Sequence, residues 1–350
     1  MRLPLISGVV LLVSAQALAW LYLGPHRQAA SPATVGGVEA VTPGELTGTL
    51  LLGGFRGLAC DILWMRADAA KESGRFYESV ALFEGISRIQ PRFEQPWQFM
   101  AWDLAYNLSH EVEDRRAKWA WILAGIRTGV RGCERNPQSE RLLRHLAWIF
   151  QHKGDLFHDE IEAASWAELL NPLLERVNLQ VPPSHQVPLF AAGAGISNFS
   201  IAAQLYRGCV ALGEGRDGGY LRGQFIRRMI PLGIEHDGNL VRNRGRHLIA
   251  LRRYLDALRA WEPVVAWSKA GKDTDADAHQ RRVAFESYER NEGRLRRKAA
   301  ALAGALAPAD LAESASAAIL ARQWDAVDAA LARPGWAEVR ATGRIRWLDE

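Results

Sequence analysis

The chain has 350 residues, of which 48% are hydrophobic and 23% charged, a composition that excludes wholesale disorder. Its formal net charge of +4 is too small to indicate a general nucleic-acid-binding protein. The three cysteines, Cys60, Cys133 and Cys209, lie too far apart in the sequence for a disulfide framework or a CxxC metal site.

The amino-terminal segment, residues 3–23, contains no charged residue. At about 1.5 Å per residue, a helix of this length crosses the roughly 30 Å hydrocarbon core of a bilayer. A cleaved signal peptide would use Arg2, the apolar run and the small residues at 15–19. The apolar run continues past that point to Trp20 and Tyr22, which suit a membrane interface. We therefore predict a signal anchor over residues 1–27, with the rest of the chain outside the cytoplasm, in the periplasm.

Residues 28–46 are rich in Ala, Ser, Pro, Gly and Thr, which is typical of a linker. After residue 46 no run of alternating β-branched and polar residues occurs, and apolar residues recur at three- and four-residue steps. Glycines and prolines interrupt this pattern at short intervals. The sequence therefore predicts an all-α fold in which short paired helices form an α-solenoid.

The interruptions over residues 47–171 follow the tetratricopeptide repeat pattern. In the first unit, Gly74 lies at the turn between two helices and Phe83 at an aromatic position that packs between helix pairs. Pro91 lies at the end of the unit. Trp97 begins a second unit that ends, after an insertion, at Pro137. A third unit contains Leu143, Leu146, Ala147 and Phe150 and has Gly154 at its turn. Each position has a physical reason, because glycine permits a tight turn and aromatic side chains fill the space between helix pairs.

Four sequence blocks carry a resemblance to a known class of proteins. They are LGGFRGLACDILWMRA at 52–67, QPRF at 90–93, AWDLAYNLS at 101–109 and LAWIFQHK at 146–153. Together they resemble bacterial membrane-anchored tetratricopeptide-like proteins, over about residues 50–170. That resemblance implies a helical scaffold at the membrane and no established catalytic activity.

The second half of the chain shows no such resemblance. Residues 172–190 contain Pro172, Pro182, Pro183 and Pro188 and are predicted to form a connection. Residues 191–350 are predicted to form a second, less regular helical domain. Its helices are expected at 196–212, 220–230, 240–271, 275–307, 308–322 and 324–333.

Motifs for common enzyme chemistries are missing from the sequence. Residues 213–218 match GxGxxG, but a dinucleotide site needs a preceding strand, and a helix is predicted there instead. The sequence contains no GxSxG, SxxK or GxxxxGK[ST] motif. We therefore predict no cofactor and no enzymatic activity. One alternative stays open, an all-α metal-dependent enzyme that uses His145, His152 and Asp159.

The tetratricopeptide pattern also predicts which residues face the concave surface and bind a partner. Large aromatic side chains beside charged ones on such a surface are typical of protein-recognition hot spots. The alternative for any single tryptophan is a place in the core. The predicted partner-binding residues are Asp61, Trp64, Asp68, Gln98, Phe99, Trp102, Arg144, His145, Trp148 and His152.

A stretch of arginines over residues 222–253 predicts a basic surface. Its simplest explanation is a solvated helix face, and the functional alternatives are an acidic partner or anionic lipid headgroups. The arginines are Arg222, Arg227, Arg228, Arg242, Arg244, Arg246, Arg252 and Arg253.

These observations together favour a membrane-anchored helical-repeat scaffold that binds protein partners, as a subunit or assembly factor of a membrane-associated complex. Anionic lipid is a possible second contact, and nucleic acid is not expected as a partner. The alternatives are the metal-dependent enzyme and a structural protein that binds a lipid surface.

Overall fold

The computed structural model describes residues 55–191, 196–213, 220–269, 275–306 and 309–333. Within these ranges the chain forms helices and connecting turns and contains no strand, which confirms the all-α prediction there. The helices are α1 (Phe55–Glu72), α2 (Phe76–Ile89), α3 (Glu94–Trp102), α4 (Arg115–Arg135), α5 (Glu140–Gly154), α6 (His158–Ala163), α7 (Ala167–Asn178), α8 (Asn198–Gly213), α9 (Tyr220–Asn243), α10 (His247–Lys269), α11 (Asp275–Leu306), α12 (Ala309–Leu320) and α13 (Trp324–Ala332).

The predicted anchor at 1–27 and the linker at 28–46 lie outside the described residues. None of the helices in the described ranges is both long enough and apolar enough to span a bilayer.

The chain divides into two compact units, and the division falls between Met100 and Ala101. In the first unit, α1 and α2 form a hairpin whose turn contains Gly74 at φ 71°, a left-handed conformation that glycine adopts without strain. Phe83 of α2 is fully buried in the core of this unit. The predicted turn at Gly74 and the predicted burial of Phe83 are both confirmed.

The second unit begins with an unusually close approach of two helical segments. From α3 the chain continues as a π-helical segment, Asp103–Leu108, and a last turn, Ser109–Glu111. The helix α4 begins after Asp114, whose carboxylate accepts a hydrogen bond from the backbone N–H of Ala117 at 2.8 Å. A Cβ atom at Gly125 of α4 would come within 2.8 Å of the carbonyl oxygen of Ala101. The absence of a side chain at Gly125 therefore lets the two backbones approach.

Two features around α5 and α7 differ from the sequence-based expectation. Gly154 does end α5, but it is helical, and a Cβ there would lie only 2.5 Å from the Cβ of Asn198. The glycine is thus needed for contact with the start of α8 and not for a left-handed turn. Pro172 lies inside α7, so the predicted connection over 172–190 is partly helical.

The remaining helices pack in chain order, each against the next: α8 contacts α5 and α9, and α9 to α13 follow in sequence. The predicted break near Ile230 is wrong, because α9 continues through the buried Pro231 to Asn243. Packing compensates for the hydrogen bond that a proline removes from a helix. The actual turn contains Gly245 at φ 76°. The predicted final pair corresponds to α12 and α13.

Candidate functional site

The predicted partner-binding residues fall into two groups, one in each compact unit. In the first unit, the Trp64 ring lies 5.2 Å from Phe83, 5.5 Å from Phe93 and 5.4 Å from Phe99, measured between centroids. Trp64 and Phe99 therefore pack onto the core around Phe83, which favours the core alternative for both of them. Asp61 is exposed, and Asp68 and Gln98 are partly exposed.

In the second unit, four of the predicted residues come together with Tyr106, which is not among the predicted residues. The rings of Trp102 and Tyr106 stack at 4.0 Å, those of Tyr106 and His152 at 5.6 Å, and those of His152 and Trp148 at 5.4 Å. His145 lies 5.9 Å from Trp102. We call Trp102, Tyr106, His145, Trp148 and His152 the aromatic column.

Helical spacing explains how the column forms. Trp102 and Tyr106 are four residues apart where α3 passes into the π-helical segment, so they share one face. His145, Trp148 and His152 are spaced by three and four residues along α5 and share another face. The sequence analysis did not single out Tyr106, although its four-residue spacing from Trp102 could have identified it.

Two members of the column, His145 and Tyr106, are held uncharged, and cations flank the column. Burial lowers the pKa of His145 to about 4, with a further contribution from Arg144, so its imidazole is neutral at pH 7. Burial also raises the pKa of Tyr106. The Lys153 ammonium lies 4.5 Å from the centre of the Tyr106 ring, and Arg144 lies 3.6 Å from a Glu140 carboxylate oxygen. The arrangement suits a partner that offers apolar or aromatic groups together with acceptors.

An open groove of about 420 Å³ shares Trp148 and His152 with the column. Its chemistry combines aromatic faces, imidazoles, carboxamides and a single carboxylate. Gln151 lines the groove and has a buried Oε1 atom with no hydrogen-bond partner among the described residues. The groove is lined by Trp148, Gln151, His152, Asp155, Phe199, His236, Asn239, Leu240 and Asn243.

The residues of the metal-site alternative have other contacts. His152 stacks between Tyr106 and Trp148, while Asp159 accepts a hydrogen bond from Arg244 at 2.9 Å. Among the described residues, no three His, Cys, Asp or Glu side chains are grouped so that they could hold a metal ion. His145, His152 and Asp159 thus do not form the site that their sequence spacing suggested.

The arginine-rich stretch of 222–253 is partly occupied by contacts within the protein. Arg244 bridges Asp159 and Glu162, at 2.9 and 2.5 Å. Arg253 binds the buried carboxylate of Asp237 at 2.8 Å. Arg246 and Arg252 are exposed, and the side chain of Arg222 lies outside the described part. Several of these arginines therefore join helices, so the stretch presents fewer unpaired charges than the sequence suggested.

A scan against protein-family models and a search of curated proteins give no match for this chain.

Proposed function

We propose that the protein is a membrane-anchored scaffold of tetratricopeptide-like helix pairs, and that it binds protein partners as a subunit or assembly factor of a membrane-associated complex. The predicted anchor at residues 1–27 would hold it at the membrane. The serial packing of helices from α8 onward suits this role, because such arrays present extended surfaces.

The observation that carries this proposal is the aromatic column and its continuation into the groove. Trp102, Tyr106 and Trp148 are only partly buried, and His152 is exposed, so the stacked rings present an accessible apolar surface. Tryptophan and tyrosine supply a large contact area with few rotatable bonds, and they are enriched among residues whose truncation weakens protein interfaces most.

The groove adds groups that match a peptide segment. A peptide backbone carries N–H donors and carbonyl acceptors, and the carboxamide of Gln151 can pair with either. Its Oε1 atom is buried and unpartnered, and it would gain a hydrogen bond to a backbone N–H once the side chain turns toward the groove. The column then provides apolar contact area beside this polar contact.

The double substitution Trp102→Ala and Trp148→Ala tests the proposal. We expect loss of partners in an affinity purification from solubilised membranes, by about tenfold or more, because hot-spot truncations cost ~2 kcal/mol or more. Helical content by circular dichroism should be retained, since both side chains are only partly buried.

The matched control is Trp119→Ala. Trp119 is also half-buried in the second unit and stacks on Phe157 at 5.7 Å, but it belongs to neither the column nor the groove lining. This variant should keep its partners. If the folded double variant also keeps every partner, the column is not the binding surface. If the double variant unfolds and Trp119→Ala does not, Trp102 and Trp148 serve the core instead.

A further inference from the structure

A second cleft, of about 860 Å³, lies on α11 and the turn before α13 and is dominated by arginine. It belongs to neither the aromatic column nor the arginine stretch of 222–253. Glu289 is its single acidic lining residue. The cleft is lined by Ser287, Glu289, Arg290, Asn291, Gly293, Arg294, Arg296, Arg297 and Arg322.

Part of this cleft is rigidly built. Arg322 has φ 58°, and it is the one non-glycine residue in the described ranges with a positive φ, a conformation that costs free energy. Its guanidinium forms a two-bond pair with the buried Glu292, at 2.7 and 3.1 Å. Arg296 donates to the carbonyl oxygen of Leu320 at 2.7 Å and lies 3.5 Å from Glu292. These contacts fix two guanidinium groups between α11 and the end of α12.

Two arginine side chains converge over a position that has no side chain of its own. A Cβ atom at Gly293 would lie 3.7 Å from Nη1 of Arg297 and 3.8 Å from Nη2 of Arg296. Both groups are positively charged, so an anion bound beside Gly293 would reduce the repulsion between them. Gly293 itself is buried, and a Cβ there would make ordinary van der Waals contacts with both groups.

The acidic residues do not neutralise this cluster. Glu292 serves both Arg296 and Arg322, and the buried Glu235 serves Arg294 at 3.0 Å together with Lys298. Arg290 and Arg297 are exposed, and neither forms an ion pair with a residue that the structure describes. Their two charges match the charge of a phosphate group, which is about −1.5 to −2 at neutral pH.

We propose that this cleft binds a phosphate group, either in a free phosphate compound or in the headgroup of an anionic phospholipid. Planar guanidinium groups recognise phosphate oxygens through paired N–H donors. Arg296 and Arg297 provide the converging donors over Gly293. The hydroxyl of Ser287 and the amide of Asn291 are further possible donors.

The test compares two charge-matched double variants of the detergent-solubilised full chain. Arg290→Gln with Arg297→Gln removes the two unpaired arginines of the cleft. Arg116→Gln with Arg127→Gln removes two other exposed arginines, both from α4 and outside the arginine stretch of 222–253. Titration calorimetry with inorganic pyrophosphate measures the binding of a free phosphate compound. Co-flotation with phosphatidic acid vesicles measures binding to an anionic lipid headgroup, and phosphatidylcholine vesicles give the baseline.

We expect the cleft variant to bind at least one of these probes about tenfold or more weakly than the unmodified chain, and the control variant to bind it nearly unchanged. Gly293→Leu keeps every charge but fills the space between the guanidinium groups, and it should weaken binding as well. Binding to pyrophosphate identifies a free phosphate compound as the ligand, and binding to vesicles alone identifies a lipid headgroup. The proposal is wrong if the unmodified chain binds neither probe, or if both double variants lose binding equally.

Discussion

At the scale of single residues, His145 is an ionisable group whose environment disfavours its charged form. Its side chain is 8% exposed, and its Nε2 atom has no hydrogen-bond partner within the described part of the chain. Burial and the neighbouring Arg144 both disfavour the imidazolium form and lower the pKa to about 4. The second unit therefore folds with a neutral histidine beside Trp102.

This shift makes the stability of the protein depend on pH. The ordinary pKa of histidine is 6.5, and that of His145 in the folded protein is about 4. Between these two pH values, the unfolded chain binds a proton at His145 that the folded chain does not. Folding stability is therefore retained above pH 6.5 and falls as the pH drops toward 4. The unfolding free energy of the unmodified protein should fall between pH 7.5 and pH 4.5. In His145→Gln we expect this fall to be smaller than in the unmodified protein by about 2–3 kcal/mol. Urea denaturation at the two pH values measures it.

The control for that experiment is Trp148→Phe, which changes the same column but removes no titratable group. It should leave the pH dependence unchanged. An equal effect from both substitutions would contradict the assignment to His145.

At the scale of helices, the contact between α4 and the helical run that begins with α3 is decided by small residues. Gly125 of α4 faces Ala101 and Ala105, and Gly129, one turn later, faces Leu146 of α5 and Ala101. Glycine weakens a helix interior by about 1 kcal/mol relative to alanine, so its use here indicates a packing requirement. The same contact includes the π-helical segment from which Tyr106 stacks on Trp102.

We expect Gly125→Ala to destabilise the protein, because the new methyl group would lie 2.8 Å from both the Ala101 carbonyl oxygen and the Ala105 Cβ. Overpacking of this kind costs about 1–3 kcal/mol, which exceeds the gain in helix propensity. Thermal unfolding followed by circular dichroism measures the change.

Gly85→Ala provides the comparison. At Gly85 of α2 the nearest atom to an added Cβ is a Leu63 methyl carbon, at 3.8 Å, which is an ordinary contact. This substitution should raise the melting temperature through helix propensity alone. A melting temperature for Gly125→Ala as high as that of Gly85→Ala would show that the backbones are not in close contact.

At the scale of the whole molecule, buried carboxylates join the helices of the carboxyl-terminal half. Asp237 of α9 pairs with Arg253 of α10, Glu235 of α9 with Arg294 of α11, and Glu292 of α11 with Arg322. A buried carboxylate without its partner is strongly destabilising, so these pairs restrict how the helices can align. They also explain why an arginine-rich sequence need not present an equally basic surface.

At the same scale, we predict that residues 1–27 anchor the protein, and we expect it to remain with membranes after a carbonate wash. The physical reason is the uncharged segment of 3–23, which is long enough to span the hydrocarbon core. Fractionation followed by immunoblotting measures the distribution. The control is a chain that begins at residue 28, which should be released from the membrane. If expression of the full sequence instead yields a released protein that begins near Trp20, residues 1–19 are a cleaved signal peptide.

Sequence alone determined the helical class and much of the local structure. The apolar spacing of three and four residues predicts helices because it reflects one buried face, and Gly74 predicts a turn because only glycine adopts its conformation freely. The burial of Phe83 followed from its place in the repeat pattern. Such signals are local, so they can be interpreted without knowing which helices meet.

Tertiary structure decided what the local signals could not. Trp64 and Trp102 look alike in sequence, but one packs onto a core and the other joins the aromatic column. The sequence predicts a helix end just before Pro231, yet Pro231 lies buried inside α9. The arginine-rich cleft brings Arg322 next to arginines of α11, through Glu292. The physical reason is the same in each case: burial and charge pairing depend on residues that are distant in the sequence and become neighbours only when the helices pack.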